Sequence, residues 1–139
     1  MLRDFPRLLI YPPNMLPSIA KTPDPPYFAV IFTSLQSLDN RGYAQMAERM
    51  TELAATQPGF LGVESAHGDG GFGITVSYWA SEEAIANWKA NLQHQGAQTS
   101  GKRVWYADYH LRVARVERAC TKAQSLAGDS ANDDGNPNR

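Results

Sequence analysis

The run Tyr27–Leu35, YFAVIFTSL, constrains the fold more than any other stretch of the chain. Its β-branched and aromatic residues read as a strand. Successive side chains on a strand point to opposite faces, so Phe28, Val30 and Phe32 look one way and Ala29, Ile31 and Leu35 the other. A strand wet on one side alternates with polar residues, and this one does not. It therefore needs cover on both faces, inside a sheet that has a layer on each side.

The residues that follow supply those layers by changing period. Asp39-Asn40 offers a helix cap, and Tyr43, Met46, Ala47, Met50, Leu53 and Ala54 recur at helical spacing. Gln57-Pro58-Gly59 stops that helix. Phe60–Ala66 reads as a second strand and Phe72–Trp79 as a third. Between them His67-Gly68-Asp69-Gly70-Gly71 turns the chain, because glycine reaches positive φ at little steric cost. Ser81 is a good N-cap for a second helix, with Glu82 and Glu83 placed well against its dipole. Ala84, Ile85, Trp88 and Leu92 form its buried stripe, and Gly96 or Gly101 ends it. Val104–Val116 is a last strand, with Trp105, Ala107, Tyr109, Leu111 and Val113 on one face and Tyr106, Asp108 and His110 on the other.

The order is β-α-β-β-α-β, the ferredoxin-like α+β arrangement: an antiparallel sheet with two helices on one face. The second face keeps apolar residues from strand one and from Phe72, Ile74, Val76 and Tyr78. An apolar face of that size implies a partner surface, most simply a second copy in a two-fold homodimer.

The foldable part spans residues 25–119. Residues 1–24 form a proline-rich extension; Pro6, Pro12, Pro13, Pro17 and Pro23 lie within it, and Pro25-Pro26 follow at once. Proline fixes φ and lacks an N–H, so this segment is extended or irregular and forms no central strand. Met15 offers a second translation start. Residues 120–139 are polar, and their end, GDSANDDGNPNR, reads as disordered.

Bulk properties exclude several functions. A net charge of -1 without a basic cluster argues against nucleic acid and anionic membranes as partners. No apolar run nears the ~20 residues that cross a bilayer. The patch Leu8–Tyr11 is too short for a signal-peptide core, and Cys120 has no internal partner for a disulfide. Those features point to the cytoplasm. His67, His94 and His110 lack metal-ligand spacing, and no phosphate loop or nucleophile elbow is present, so no metal or nucleotide cofactor is expected.

Strand one, Gly59-Phe60 and the segment SYWASEEAIANW (Ser77–Trp88) resemble the antibiotic biosynthesis monooxygenase family. HQGAQTSGK (His94–Lys102) and WYADYHLRVARVER (Trp105–Arg118) extend the likeness. The resemblance implies a dimeric α+β barrel, an internal cavity and, in several branches, oxygenation without a cofactor. The haem-degrading branch resembles this chain in a tryptophan on helix two, here Trp88. It also implies an asparagine on strand one and a histidine ten residues after the tryptophan. Tyr27–Leu35 has no asparagine, Gln98 occupies the tenth position, and His94 lies one helical turn earlier. Haem binding or degradation therefore stands behind two other readings: a cofactor-independent monooxygenase for a small apolar aromatic or quinol-type molecule, and a non-catalytic dimer that binds a small ligand or serves as a stress-related accessory protein.

Each candidate residue has a functional and a plain reading. His94 is the candidate proton carrier; a histidine near a helix C-terminus is also favoured by the dipole. Gln98 is a candidate hydrogen-bonding group or a surface amide. Trp88 and Trp79 are candidate substrate walls or core residues. Tyr106 is a candidate substrate contact, with Asp108 and His110 on its face, or part of a solvated strand surface.

Overall fold

In a computed structural model the chain is described over residues 18–38, 42–94 and 106–132. Its elements are β1 (Tyr27–Gln36), α1 (Tyr43–Ala55), β2 (Phe60–His67), a 3-10 turn (Asp69–Gly71), β3 (Phe72–Trp79), α2 (Glu82–His94), β4 (Tyr106–Val116) and α3 (Lys122–Asn132). Through β4 this is the expected ferredoxin-like order. The four strands form one antiparallel sheet, ordered β2-β3-β1-β4. β1 is internal, as its two apolar faces require.

Both helices cover one face. Val30 and Trp79 from the sheet, Ala54 from α1, and Ala84 and Ile85 from α2 form a single buried cluster, with Phe28, Phe60, Trp88 and Leu111 packed against it. Ser81 caps α2 as the sequence predicts: its Oγ accepts the Ala84 N–H at 3.1 Å. Gly59 shows why a glycine precedes β2. Its φ is 84°, and a Cβ there would sit 2.6 Å from the Ala84 Cβ. Its carbonyl accepts the Ala80 N–H at 2.8 Å, which ties the α1–β2 turn to the β3–α2 turn.

Three local expectations change. Asp39 and Asn40 lie outside the described residues, and the N-cap of α1 is Gly42, with φ 78° and no side-chain cap bond. β2 runs on to His67, which was expected in the turn. In β4, Gln36 pairs with Tyr106 and Leu35 with Asp108. Ala107 is thus an extra residue, a β-bulge that slips the alternation by one. Tyr106 therefore joins the face of Tyr109, and the expected trio of Tyr106, Asp108 and His110 is split. Val104 and Trp105, read as the start of this strand, lie outside the described residues.

After β4 the composition suggested no element, yet α3 forms. Thr121 and Gln124 bond reciprocally: the Thr121 Oγ1 accepts the Gln124 N–H at 3.2 Å, and the Gln124 Oε1 accepts the Thr121 N–H at 2.8 Å. This is a capping box, written in the sequence as TKAQ.

Among the described residues the second face of the sheet keeps apolar side chains exposed. Leu35, Phe72 and Ile74 are 42%, 46% and 37% exposed. Residues 18–26 cover its β2 side. Ala20 lies close over Gly62, where a Cβ would come within 2.9 Å of the Ala20 Cβ. The Ala20 N–H donates to Glu64 Oε2 at 3.1 Å, and the Thr22 hydroxyl donates to Tyr27 at 3.0 Å.

Candidate active site

Two aromatic groups line the helix-covered face of the sheet. The first gathers where β3 ends and α2 begins. Trp79 is wholly buried. The indole of Trp88 stacks on it with ring centroids 5.0 Å apart and planes 30° apart, while Phe60 meets Trp79 edge-on at 5.5 Å. Helical spacing puts Trp88 here, four residues after Ala84 on the stripe that faces the sheet. The two indole N–H groups differ. Trp79 Nε1 donates to Ser77 Oγ at 2.9 Å. Trp88 Nε1 is buried and has no hydrogen-bond partner among the described residues. A buried donor left unpaired costs about 1–3 kcal/mol, so it is a group that a ligand oxygen would satisfy.

The second group lies toward the other end of β1. Tyr106 meets Phe32 edge-on at 5.2 Å and Tyr43 at 5.7 Å, and Tyr109 lies 5.6 Å from Phe32. The bulge at Ala107 makes this convergence possible, because it brings two tyrosines of β4 to one face. Burial, reinforced by a hydrogen bond with Tyr43, raises the Tyr106 phenol well above its ordinary range. Tyr106 is therefore a neutral hydroxyl at any physiological pH, able to donate or accept a hydrogen bond but not to act as a base.

The chain path relates these groups to His94. α2 leaves β3 at Trp79 and ends at His94, before the chain returns to Tyr106, which pairs with Gln36 at the far end of β1. The helix thus runs from the indole pair toward the tyrosine group, and the His94 backbone closes it. Gln98 lies outside the described residues. Asp108 and His110 fall on the opposite face of the sheet, where Arg112 Nη2 lies 3.1 Å from His110 Nδ1. Among the described residues no group of His, Cys, Asp and Glu could hold a metal ion, and no helix is long and apolar enough to cross a membrane. Sequence reasoning named Trp79, Trp88 and Tyr106 but missed Tyr43 as the hydrogen-bond partner of Tyr106. The helical spacing of Tyr43 on the apolar stripe of α1 was the available signal.

The fold and its aromatic helix face define a ferredoxin-like domain of the dimeric α+β barrel class. A model of the family described as antibiotic biosynthesis monooxygenase matches residues 27–100, and the chain belongs to that family. The relative named "Uncharacterized protein YqjZ", from Bacillus subtilis (strain 168), is 50% identical over 119 residues, covering 86% of this chain and all (100%) of its own. The "Jasmonate monooxygenase ABM" of Pyricularia oryzae (strain 70-15) is 35% identical over 46 residues, 33% of this chain and 21% of that one. Among solved structures, a mutant of SnoaB, a cofactor-independent oxygenase from Streptomyces nogalater, aligns with a TM-score of 0.60 at 10% identity, covering 69% of this chain and 98% of that one. Rv0793 from Mycobacterium tuberculosis aligns with a TM-score of 0.59 at 13% identity, covering 68% and 99%. At such identities the structural likeness speaks for the fold alone.

Proposed function

We propose that this chain is a small cytoplasmic monooxygenase that oxidises an apolar phenol or quinol-type molecule with O₂, without metal or flavin, as a homodimer joined through the second sheet face. The observation that carries the reading is the buried Nε1–H of Trp88 on its indole floor, which has no hydrogen-bond partner among the described residues. Family membership supports it, as does the monooxygenase name of a relative similar over 46 residues.

The chemistry needs little from the protein. A phenol that loses its proton becomes electron-rich enough to pass one electron to O₂. The substrate radical and superoxide combine to form a C–O bond, the O–O bond then breaks, and water leaves. For a phenol with a free ring position the sum is phenol plus O₂ to quinone plus water, a four-electron oxidation of the ring matched by reduction of O₂. The site would supply a dry aromatic slot, an acceptor for the first proton and a donor to the substrate oxygen. His94 takes the acceptor role and Trp88 the donor role. Trp79 forms the wall, Tyr106 offers a neutral hydroxyl, and Gln98 contributes a second hydrogen bond.

Oxygen uptake with a panel of hydroquinones, naphthols and anthrones tests this. Trp88→Phe keeps the ring and removes the N–H, and should lower kcat/KM by about 10²-fold with unchanged circular dichroism. His94→Ala should lower kcat. Unchanged uptake by His94→Ala on a confirmed substrate would end the proposed role of that residue. Saturable binding of the panel without any oxygen uptake would favour the non-catalytic reading instead. Haemin should give no stoichiometric Soret shift, since β1 carries no asparagine and the tenth position after Trp88 is Gln98.

A further inference from the structure

The helix-covered face of the sheet changes character along its strands. At the end where β3 leaves the sheet it carries Trp79, Phe28 and Val30. Toward the other end it turns polar. Ser65 and Thr75 face each other there, with their hydroxyl oxygens 2.8 Å apart. One row further on, the register sets His67 opposite Gly73, Gly73 opposite Ser34 and Ser34 opposite Tyr109. Residues directly opposite on antiparallel strands share a face, so His67, Ser34 and Tyr109 look the same way as Trp79.

His67 sits on the edge strand β2, where a side chain is free to swing clear of the sheet. Its imidazole instead lies inward across β3. A Cβ on Gly73 would stand 2.9 Å from the imidazole Cδ2 and 3.2 Å from its Nε2. Gly73 does not have a positive φ, so its backbone does not require glycine. The close approach of the ring does. Three strand spacings, about 14 Å, separate the backbones of His67 and Tyr109. The imidazole covers the first of them, and the buried Ser34 floors the next. His67 and Tyr109 are both exposed. An imidazole, a hydroxyl and a phenol thus flank one place, and each can hydrogen-bond an oxygen.

This place is far from the indole pair. Trp79 pairs with Phe28 and Gly73 with Ser34, six residues on, so about 20 Å of sheet lies between them. A single phenol or quinol ring cannot touch both. The geometry points to a second subsite: His67, with Ser34 and Tyr109, binds a hydroxyl or carbonyl oxygen at the far end of an elongated substrate whose aromatic ring lies at Trp88. The inference rests on the reading above in taking the indole pair as the seat of the ring. It adds that the substrate carries a chain or further rings ending in oxygen. His67 selects that end and takes no part in the oxygen step.

Naphthoquinones carrying an octyl chain that ends in methyl or in a hydroxyl probe the subsite without turnover, through quenching of tryptophan fluorescence. The hydroxyl-ended chain should bind about tenfold more tightly, the worth of one net hydrogen bond. His67→Ala should bring the two Kd values together with circular dichroism unchanged. Gly73→Ala keeps the imidazole in the chain but takes its seat, and should do the same. His67→Gln, which retains a donor and an acceptor, should keep part of the preference. Equal binding of the two probes by the wild-type chain, or none, overturns the subsite. So does a preference that survives in His67→Ala. Oxygen uptake with the corresponding quinols separates this from the reading it rests on. A preference that depends on His67 without any uptake leaves the subsite standing and ends the monooxygenase reading, and uptake without the preference does the reverse.

Discussion

The two aromatic groups on the helix-covered face solve opposite problems. The indole pair is the more closed: Trp79 is wholly buried, the half-buried Phe60 and Trp88 pack on it, and Val30 lies in the same cluster. Trp88 itself is half-buried, and its N–H has no hydrogen-bond partner among the described residues. The tyrosine group is the reverse. Tyr106 has its hydrogen bond with Tyr43, yet Tyr109 is 40% exposed and Val113 on the same face 45%. The first region pairs close packing with one N–H that lacks a partner among the described residues, which suits a fixed contact to a ligand atom. The second is polar and loosely covered, which suits adjustment to ligands of different length. A buried polar atom without a partner is thus a better pointer to function than the number of aromatic rings around it.

Trp79→Ala is the strongest way to break this contrast. It removes the largest fully buried side chain and leaves Trp88 without its stacking partner. Replacing a core tryptophan with alanine costs about 3–5 kcal/mol, a large share of the stability of a domain this size. Tyr109→Ala, at a half-open position, should cost well under half as much. Urea unfolding of the two variants checks the ranking, and equal losses would mean that the tyrosine group is as closed as the indole pair.

Trp88→Phe sharpens the contrast from the other side. It deletes a donor that has no partner among the described residues, so the usual penalty for losing a hydrogen bond is absent. What remains is a modest change in packing, about 1 kcal/mol or less in either direction. Substrate turnover should fall far more than stability does. A loss of several kcal/mol in unfolding would show that the N–H is already satisfied and that Trp88 serves the core.

The sequence made the closed region easier to read than the open one, for physical reasons. β1, the β2–β3 hairpin and α2 each announce themselves locally, through two-sided apolar alternation, a glycine-rich turn, and Ser81 ahead of the stripe Ala84, Ile85, Trp88 and Leu92. The tyrosine group depends on the bulge at Ala107. A bulge leaves no mark in a strand whose two faces both carry aromatics, so period-2 reading put Tyr106 and Tyr109 on opposite sides. The cap of α1 went to Asp39-Asn40 because side-chain oxygens are the usual signal. The chain instead enters α1 through the positive φ of Gly42. α3 was legible in TKAQ but hidden by the polar composition around it. That the Trp88 N–H has no partner among the described residues could not be read from sequence at all, since it depends on what the surrounding elements bring near it.

The smallest predicted effect concerns the second face of the sheet and serves as a control on the comparison. Tyr78 donates to Glu64 Oε1, and the Glu64 Oε2 accepts the Ala20 N–H. Burial first, then the bond to Glu64 and its negative charge, push the Tyr78 phenol up to about 12. Its unfolded value is the ordinary 10.0. The folded state therefore holds this proton more tightly than the unfolded chain does. The resulting stabilisation is complete below pH 10 and is lost as the pH rises toward about 12. Melting temperature should fall across that window, and Tyr78→Phe should make the fall shallower. Tyr106, raised from the same ordinary value, should keep part of the slope in the variant. Tyr106→Phe should remove that remainder, which assigns the alkaline sensitivity to one phenol on each face of the sheet. An unchanged slope in Tyr78→Phe would mean that Glu64 and residues 18–26 hold their place without the phenol.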